Sequence, residues 1–199
     1  MYCHSGIGMV YYFYYSYLNT RFKGERHMTT QITDVVIEVL EEKEKEQYAQ
    51  VLLESYAQYK EVYPSEEAWQ QYAQDIVNSV NLTTYDQILV AKVAGEIVGG
   101  LHLFTDGELA YGRDDLNIQN TIIRLLGVHP NGRGKGVAKQ LIQESIAFAR
   151  ARGDEYVYLH STYMMATAIE LYKKIGFTPD PTRNFNKNNI LVQCFRYKL

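Results

Sequence analysis

The residues best suited to chemistry in this chain stand together in Val128-His-Pro-Asn-Gly-Arg-Gly-Lys-Gly-Val-Ala138. Gly132, Gly134 and Gly136 carry no Cβ, so the backbone there can turn sharply and approach a ligand closely. An apolar run, Thr121 to Val128, precedes the turn, and an amphipathic segment from Val137 follows it. If the first is a strand and the second a helix, the first N–H groups of that helix have no partner within it. With the helix dipole they form a site for a phosphate or pyrophosphate, and Arg133 and Lys135 add positive charge beside it. A flexible, solvated basic turn is the alternative reading of the same residues. Two better known phosphate loops are excluded: no Gly-Lys-Ser/Thr follows at P-loop spacing, and Gly-x-Gly-x-x-Gly is absent at the dinucleotide-binding register.

The elements that must position this turn follow from periodicity. Asp34 to Leu40 is rich in β-branched residues and predicts a strand. Tyr48, Val51, Leu52, Tyr56, Tyr59 and Val62 recur at helical spacing up to Pro64, giving a helix over 43–63. Ser65 caps a second helix over 65–80, with Glu66 and Glu67 at its positive end and Trp69, Tyr72, Ala73, Ile76, Val77 and Val80 as its apolar stripe. Gln87 to Val93 and Glu96 to Phe104 form a hairpin closed at Ala94-Gly95. Residues 105–120 are polar and contain glycine, which predicts a loop. Thr121 to Val128 is dense in Ile and Leu, as in a strand buried on both faces. A helix over Val137 to Arg152 ends at Gly153, a strand covers Tyr156 to His160, a helix over Thr162 to Ile175 ends at Gly176, and Asn189 to Tyr197 is the last strand. The order β-α-α-β-β-β-α-β-α-β places antiparallel hairpins first and a βαβ crossover after them. The fold class is therefore α/β of the mixed α+β kind, with a mostly antiparallel sheet and helices on both faces.

A chain of 199 residues that is 46% hydrophobic can build one domain with a substantial core. Its net charge of −3 argues against a non-specific nucleic-acid partner. No apolar run reaches membrane-spanning length, so no membrane partner is expected. The two cysteines, Cys3 and Cys194, form neither a metal spacing nor a disulfide framework, which fits a cytoplasmic protein without a metal. Residues 1–27 differ from the rest: Met9 to Leu18 is an aromatic block without order, and Arg21, Lys23 and Arg26 follow it, the reverse of a secretory signal. Lys23-Gly24-Glu25 can be encoded by a string containing AGGAG, a bacterial ribosome-binding sequence, ahead of Met28. The expectation is a disordered or non-native extension over 1–27 and a domain over 28–199, in a bacterium. A homodimer contact through the tyrosines of the block is the alternative.

Arg133-Gly-Lys-Gly-Val-Ala138 resembles the Arg/Gln-x-x-Gly-x-Gly/Ala motif of the GNAT superfamily of acetyl-CoA-dependent N-acetyltransferases. Val128-His-Pro130 is similar to the end of that family's fourth strand, and Ala168-Ile-Glu-Leu-Tyr-Lys-Lys-Ile-Gly-Phe177 to its Ala-x-x-Leu-Tyr-x-x-x-Gly-Phe motif. The resemblance spans roughly Val35 to Tyr197. It implies the GNAT fold and acetyl-CoA as cosubstrate. The pyrophosphate would be held by Arg133, Gly134, Lys135, Gly136, Val137 and Ala138, and the pantetheine paired with the backbone of Leu126 and Val128 between two splayed strands. It also implies that Tyr172 is the catalytic residue, a phenol donating a proton to the departing thiolate, in preference to the alternative of a packed core tyrosine.

Two departures stand out. Where the family often has Asn, three residues before the motif alanine, this chain has Met165. Where many members place Glu on the fourth strand as general base, Thr121 to Val128 has no carboxylate, and Arg124 stays protonated. The remaining candidates for a base are His102, Glu108, Asp114, Asp115 and His160, or a water. No cysteine lies in either motif, so the implied reaction is direct attack of a primary amine on acetyl-CoA in a ternary complex. The acceptor, a small molecule or a peptide amine, would be chosen by the two helices and the 105–120 segment. The rival classes are a non-catalytic acyl-CoA sensor and a protein lysine or N-terminal acetyltransferase.

Overall fold

The computed structural model of the chain describes residues 34–187 and 189–199. The aromatic block, the expected boundary at Met28 and the domain's first few residues lie outside the described residues. Strand β1 is Val35–Val39. Helix α1 is Lys45–Tyr56, and the chain tightens into a 3-10 turn over Ala57–Val62 before α2, Glu66–Asn78. The predicted 43–63 helix is therefore an α-helix only as far as Tyr56. Ser65 caps α2, its Oγ accepting from Ala68 N at 3.2 Å. Strands β2 (Gln87–Val93) and β3 (Glu96–Phe104) form the expected hairpin, and its two turn residues, Ala94 and Gly95, have φ of 53° and 86°. Two successive positive φ values give the turn whose twist matches antiparallel strands.

The expected loop at 105–120 contains a short helix, α3 (Gly107–Tyr111), capped by the Asp106 carboxylate and ended at Gly112. Five residues are too few to show helical periodicity in a sequence. Strand β4 is Thr121–Val128, α4 is Val137–Arg152, β5 is Tyr156–Ser161 and α5 is Ala166–Ile175. Two short strands that the sequence did not predict, β6 (Thr178–Pro179) and β7 (Phe185–Lys187), line the long last strand β8, Ile190–Lys198.

The sheet runs β1-β2-β3-β4-β5-β8-β6, with β7 against β8. Every pairing is antiparallel except β4 with β5. On one face Leu101, Leu103, Ile123, Val157 and Leu159 pack against Leu141, Ile142 and Ala149 of α4 and Ile169 of α5. On the other, Ile88 and Val90 meet Tyr48, Leu52, Trp69 and Ile76 of α1 and α2, while Phe104, Ile122 and Tyr158 meet Ala110 of α3. Among the described residues no helix is long and apolar enough to cross a membrane, and no group of His, Cys, Asp or Glu is placed to hold a metal ion.

The central strands are fastened at one end and open at the other. The Asp154 carboxylate accepts from Thr121 N at 2.8 Å and Thr121 Oγ1 at 2.5 Å, and Asn120 Oδ1 accepts from the backbone of Glu155 and Tyr156. Beyond the pairs Thr121 with Val157, Ile122 with Tyr158 and Ile123 with Leu159, β4 and β5 no longer pair. The separation coincides with a β-bulge: on β3, Gly100 faces Gly127 and His102 faces Arg124, so Leu125 and Leu126 stand opposite Leu101 alone. Leu125 adopts φ 51° there. A bulge bends its strand and ends regular pairing. This is why the strand is sealed only in its first half, with Arg124, Leu125 and Leu126 half-buried, where the sequence pattern had suggested burial throughout.

Candidate active site

The glycine-rich turn leaves β4 at Val128 and forms a 3-10 turn over Pro130–Gly132. Gly132 is buried against β3: a Cβ there would lie 2.9 Å from Val98 Cβ. Gly134 and Gly136 both have φ of 75°, a conformation that favours glycine, and a Cβ on either would point into open space. Gly136 is the N-cap of α4 and offers no side-chain cap, so the N–H groups of Val137 and Ala138 at the start of this sixteen-residue helix are left for a ligand. Arg133 folds back, its Nε donating to Val128 O at 3.3 Å, and Lys135 is exposed beside it. Glycines that keep a cradle clear, an uncapped helix start and two cations together fit a pyrophosphate.

The gap between β4 and β5 starts beyond Ile123 and opens along β4 toward this cradle. His129 N donates to Val98 O on β3 at 2.9 Å. Because backbone polar groups alternate along a strand, those of Val128 and Leu126 are turned the other way, toward the gap. Leu126 O accepts from the Tyr56 hydroxyl at 3.3 Å, which ties α1 to the same edge. A second tie joins Glu54 of α1 to His129 Nε2 at 2.8 Å, while His129 Nδ1 accepts from Asn131 N. Since Nδ1 is an acceptor, Nε2 carries the proton and donates it to Glu54.

Tyr172, on α5, acts electrostatically on Tyr56, whose hydroxyl holds the β4 edge at Leu126. Its ring packs near Phe177 and Phe195, with centroids 6.1 and 6.4 Å away, and its hydroxyl has no hydrogen-bond partner among the described residues. Burial raises its pKa, and the phenols of Tyr59 and Tyr72 from the α1–α2 layer raise it further. Tyr172 therefore stays a protonated donor at any working pH. Around it the α1–α2 side is aromatic: Tyr56 stands 5.9 Å from Tyr59 and from Tyr72, and Tyr63 stacks on Tyr72 at 5.2 Å.

The expected bases divide sharply. Glu108, Asp114 and Asp115 are exposed, and Asp115 is held by Arg113 through two bonds of 2.6 and 2.7 Å. His102 is sealed between Tyr48 and Tyr85, with centroids 5.8 and 5.7 Å away, and burial, reinforced by Arg124, lowers it to about 3. His160 is lowered to about 4, again chiefly by burial. Its Nε2 meets the Arg183 carbonyl at 3.0 Å, which only an N–H can satisfy, so Nδ1 accepts from the Tyr111 hydroxyl at 3.1 Å. Both imidazoles are neutral between pH 5 and 8. Met165, at the start of α5, packs toward the α1–α2 cluster and supplies no hydrogen bond of the kind an Asn would.

Sequence reasoning passed over Arg124 except to reject it as a base. The signal was present: a lone cation inside the apolar run Ile-Ile-Arg-Leu-Leu. It also read Tyr56 as core, although its hydroxyl reaches the β4 edge, and placed Tyr111 in a loop.

Residues 46–177 match the model of the acetyltransferase (GNAT) family. An acetyltransferase of Sodalis glossinidius is 32% identical over 111 residues, 55% of this chain and 68% of that protein. Streptothricin acetyltransferase of Streptomyces lavendulae is 37% identical over 59 residues, covering 30% of this chain and 31% of its own length. N-acetyltransferase family 8 member 2 of Rattus norvegicus is 33% identical over 103 residues, covering 52% and 43%. The chain thus matches less than half the length of the last two. In three dimensions it is similar to a GCN5-related N-acetyltransferase of Rhodopseudomonas palustris, with TM-score 0.60 at 21% identity over 88% of this chain and 100% of that one. It is also similar to the PaiA N-acetyltransferase of Thermoplasma acidophilum in complex with coenzyme A, with TM-score 0.59 at 17% identity over 82% and 99%. At these identities the structural likeness establishes the fold.

Proposed function

The chain belongs to the acetyltransferase (GNAT) family, and from that premise we propose that it moves an acetyl group from acetyl-CoA to a primary amine by direct attack in a ternary complex. The observation that carries this reading is the clear glycine cradle at the end of β4, a strand whose edge toward β5 is unpaired beyond Ile123 and is bonded at Leu126 by Tyr56, on which the phenol of Tyr172 acts. The coenzyme A bound to the Thermoplasma acidophilum relative supports the same choice of cosubstrate.

Arg133, Gly134, Lys135, Gly136, Val137 and Ala138 would hold the pyrophosphate, and the backbone of Leu126 and Val128 the pantetheine. When bound, acetyl-CoA supplies a thioester whose C–S bond breaks as the C–N bond to the amine forms. A backbone N–H at the open β4 edge is suited to take the negative charge that gathers on the acyl oxygen. Tyr172 donates its hydroxyl hydrogen toward the departing sulfur, and burial keeps that hydrogen in place. No carboxylate projects from β4, and burial lowers both nearby histidines to about 3 and about 4, too weakly basic to take the proton of an ammonium, so the amine enters as its free base with one proton already lost to solvent; the N–H proton that leaves as the amide forms returns to the Tyr172 oxygen and restores the phenol. The rate should then follow the amine's own ionisation.

The test is release of free thiol from acetyl-CoA across a panel of amines, amino acids and peptides, with pH profiles for each acceptor used. Turnover whose pH midpoint tracks the acceptor's pKa supports the proposal; a midpoint common to all acceptors would reveal an enzyme base instead. Coenzyme A binding without thiol release on any acceptor would favour an acyl-CoA sensor, the reading that the lack of a carboxylate on β4 and Met165 in place of Asn favour.

A further inference from the structure

The side chain of Arg124 lies on the α1–α2–α3 face of the sheet, where β4 parts from β5. It is half-buried, its guanidinium 4.7 Å from the centroid of Tyr111 and 5.4 Å from that of Phe104, and it donates to the Ala110 carbonyl. One carbonyl and two rings leave most of a five-donor fork unused. Among the described residues it makes no ion pair. Asp180, the buried carboxylate of this region, is bonded to Thr182 and Arg183 at 2.6 and 2.8 Å and lies 3.5 Å from Arg196. Both histidines flanking Arg124, His102 across the β3 register and His160 on β5, are neutral.

The position is therefore a held cation without a counter-ion. A half-buried charge is costly unless paired, and a planar guanidinium is matched best by a carboxylate that takes two parallel bonds. The cation also lies close to the chemistry: Arg124 acts electrostatically on Tyr72 and Tyr111, and both of these tyrosines interact with Tyr172. An acceptor bearing only an ammonium would be repelled there, whereas one bearing a carboxylate near its amine would be fixed with the amine toward Tyr172. The wall of Tyr56, Tyr59 and Tyr72 would take an apolar or aromatic side chain.

We propose that Arg124 is the carboxylate anchor of the acceptor site, and that the acceptor is a free amino acid or a close amino-carboxylate rather than a simple amine or a protein lysine. This rests on the acetyltransferase reading above for its reaction, but not for its binding.

Matched acceptors test it: phenylalanine against phenethylamine, and leucine against isoamylamine, compared at equal fractions of free base. The wild type should favour the carboxylated member by about 10- to 100-fold in kcat/KM, the worth of a charge-assisted pair. Arg124→Gln should collapse that ratio toward one, mainly through KM, and Arg124→Lys should fall between. The melting-temperature shift with coenzyme A serves as the check that each variant is folded, and if Arg124→Gln is not, Arg124→Lys and the wild-type ratio decide. A second arm titrates phenylalanine into the protein saturated with coenzyme A. Arg124-dependent binding without thiol release would keep the anchor and overturn the acetyltransferase reading. Turnover indifferent to the carboxylate, or better without it, would overturn the anchor and leave that reading standing. Absence of both carboxylate-dependent binding and carboxylate-dependent turnover overturns the anchor as well.

Discussion

Tyr172 is chemically plain, a phenol on a packed helix, and its role depends on where its oxygen comes out. The ring keeps its contacts with Phe177 and Phe195 when the hydroxyl is removed. Tyr172→Phe should therefore lower turnover by about 10²-fold while leaving coenzyme A binding within a small factor. Steady-state rates beside calorimetric titration check this, and undiminished turnover would make the tyrosine a packing residue only. At Gly134 the reasoning is the reverse. A Cβ meets nothing, so Gly134→Val costs the fold only the strain of φ 75°, about 1–2 kcal/mol, while its side chain occupies the cradle. The variant should remain folded and lose most of the thermal shift that coenzyme A gives the parent. A full shift would place the cofactor elsewhere.

Among the elements, α1 is the one whose position matters most to the site, because it touches both the β4 edge and the residue leading into the cradle. It can lie that close because β3 and β4 present glycine to it. A Cβ on Gly127 would stand 2.9 Å from Leu52 Cδ1 and 3.0 Å from Ser55 Cβ; one on Gly100 would stand 2.5 Å from the Leu89 carbonyl and 2.6 Å from the Tyr48 ring. Gly127 abuts side chains that can shift, Gly100 a backbone oxygen that cannot. Gly127→Ala should cost about 1–3 kcal/mol, and Gly100→Ala more, read as the difference between their urea midpoints. Equal losses would mean that the sheet yields as easily as the helix. The bulge at Leu125 belongs to the same scale: it turns one strand pair into a gap without any change of element order.

For the molecule as a whole, the two neutral histidines set how stability responds to acid. His102 and His160 lie at about 3 and about 4 in the fold, against an ordinary 6.5. As pH falls below 6.5 the unfolded chain binds their protons first, so the stability they contribute is complete above that value. It declines between 6.5 and the folded values, by up to about 1.4 kcal/mol per pH unit for each. Urea midpoints should therefore fall clearly from about pH 7 to about pH 5, and less steeply in His160→Gln, whose amide can still donate to the Arg183 carbonyl. An identical drop in the variant would assign the acid sensitivity to other groups.

How much of this was legible beforehand follows from the range of the forces involved. Local rules were sufficient for the strand–turn–helix around Gly132 to Gly136, the Ser65 cap, the Ala94-Gly95 hairpin and the stops at Gly153 and Gly176, since each is decided by a few neighbouring residues. Periodicity and the two motifs extended that to the fold class and the family. The sequence could not show that Arg124 lacks a counter-ion among the described residues, that His102 and His160 are neutral, or that Tyr172 is coupled to Tyr59 and Tyr72 of the other layer. Those facts join β3, β4, β5, α2, α3 and α5, elements far apart along the chain. Burial, pairing and ionisation are properties of the packed assembly, and only the tertiary structure decides them.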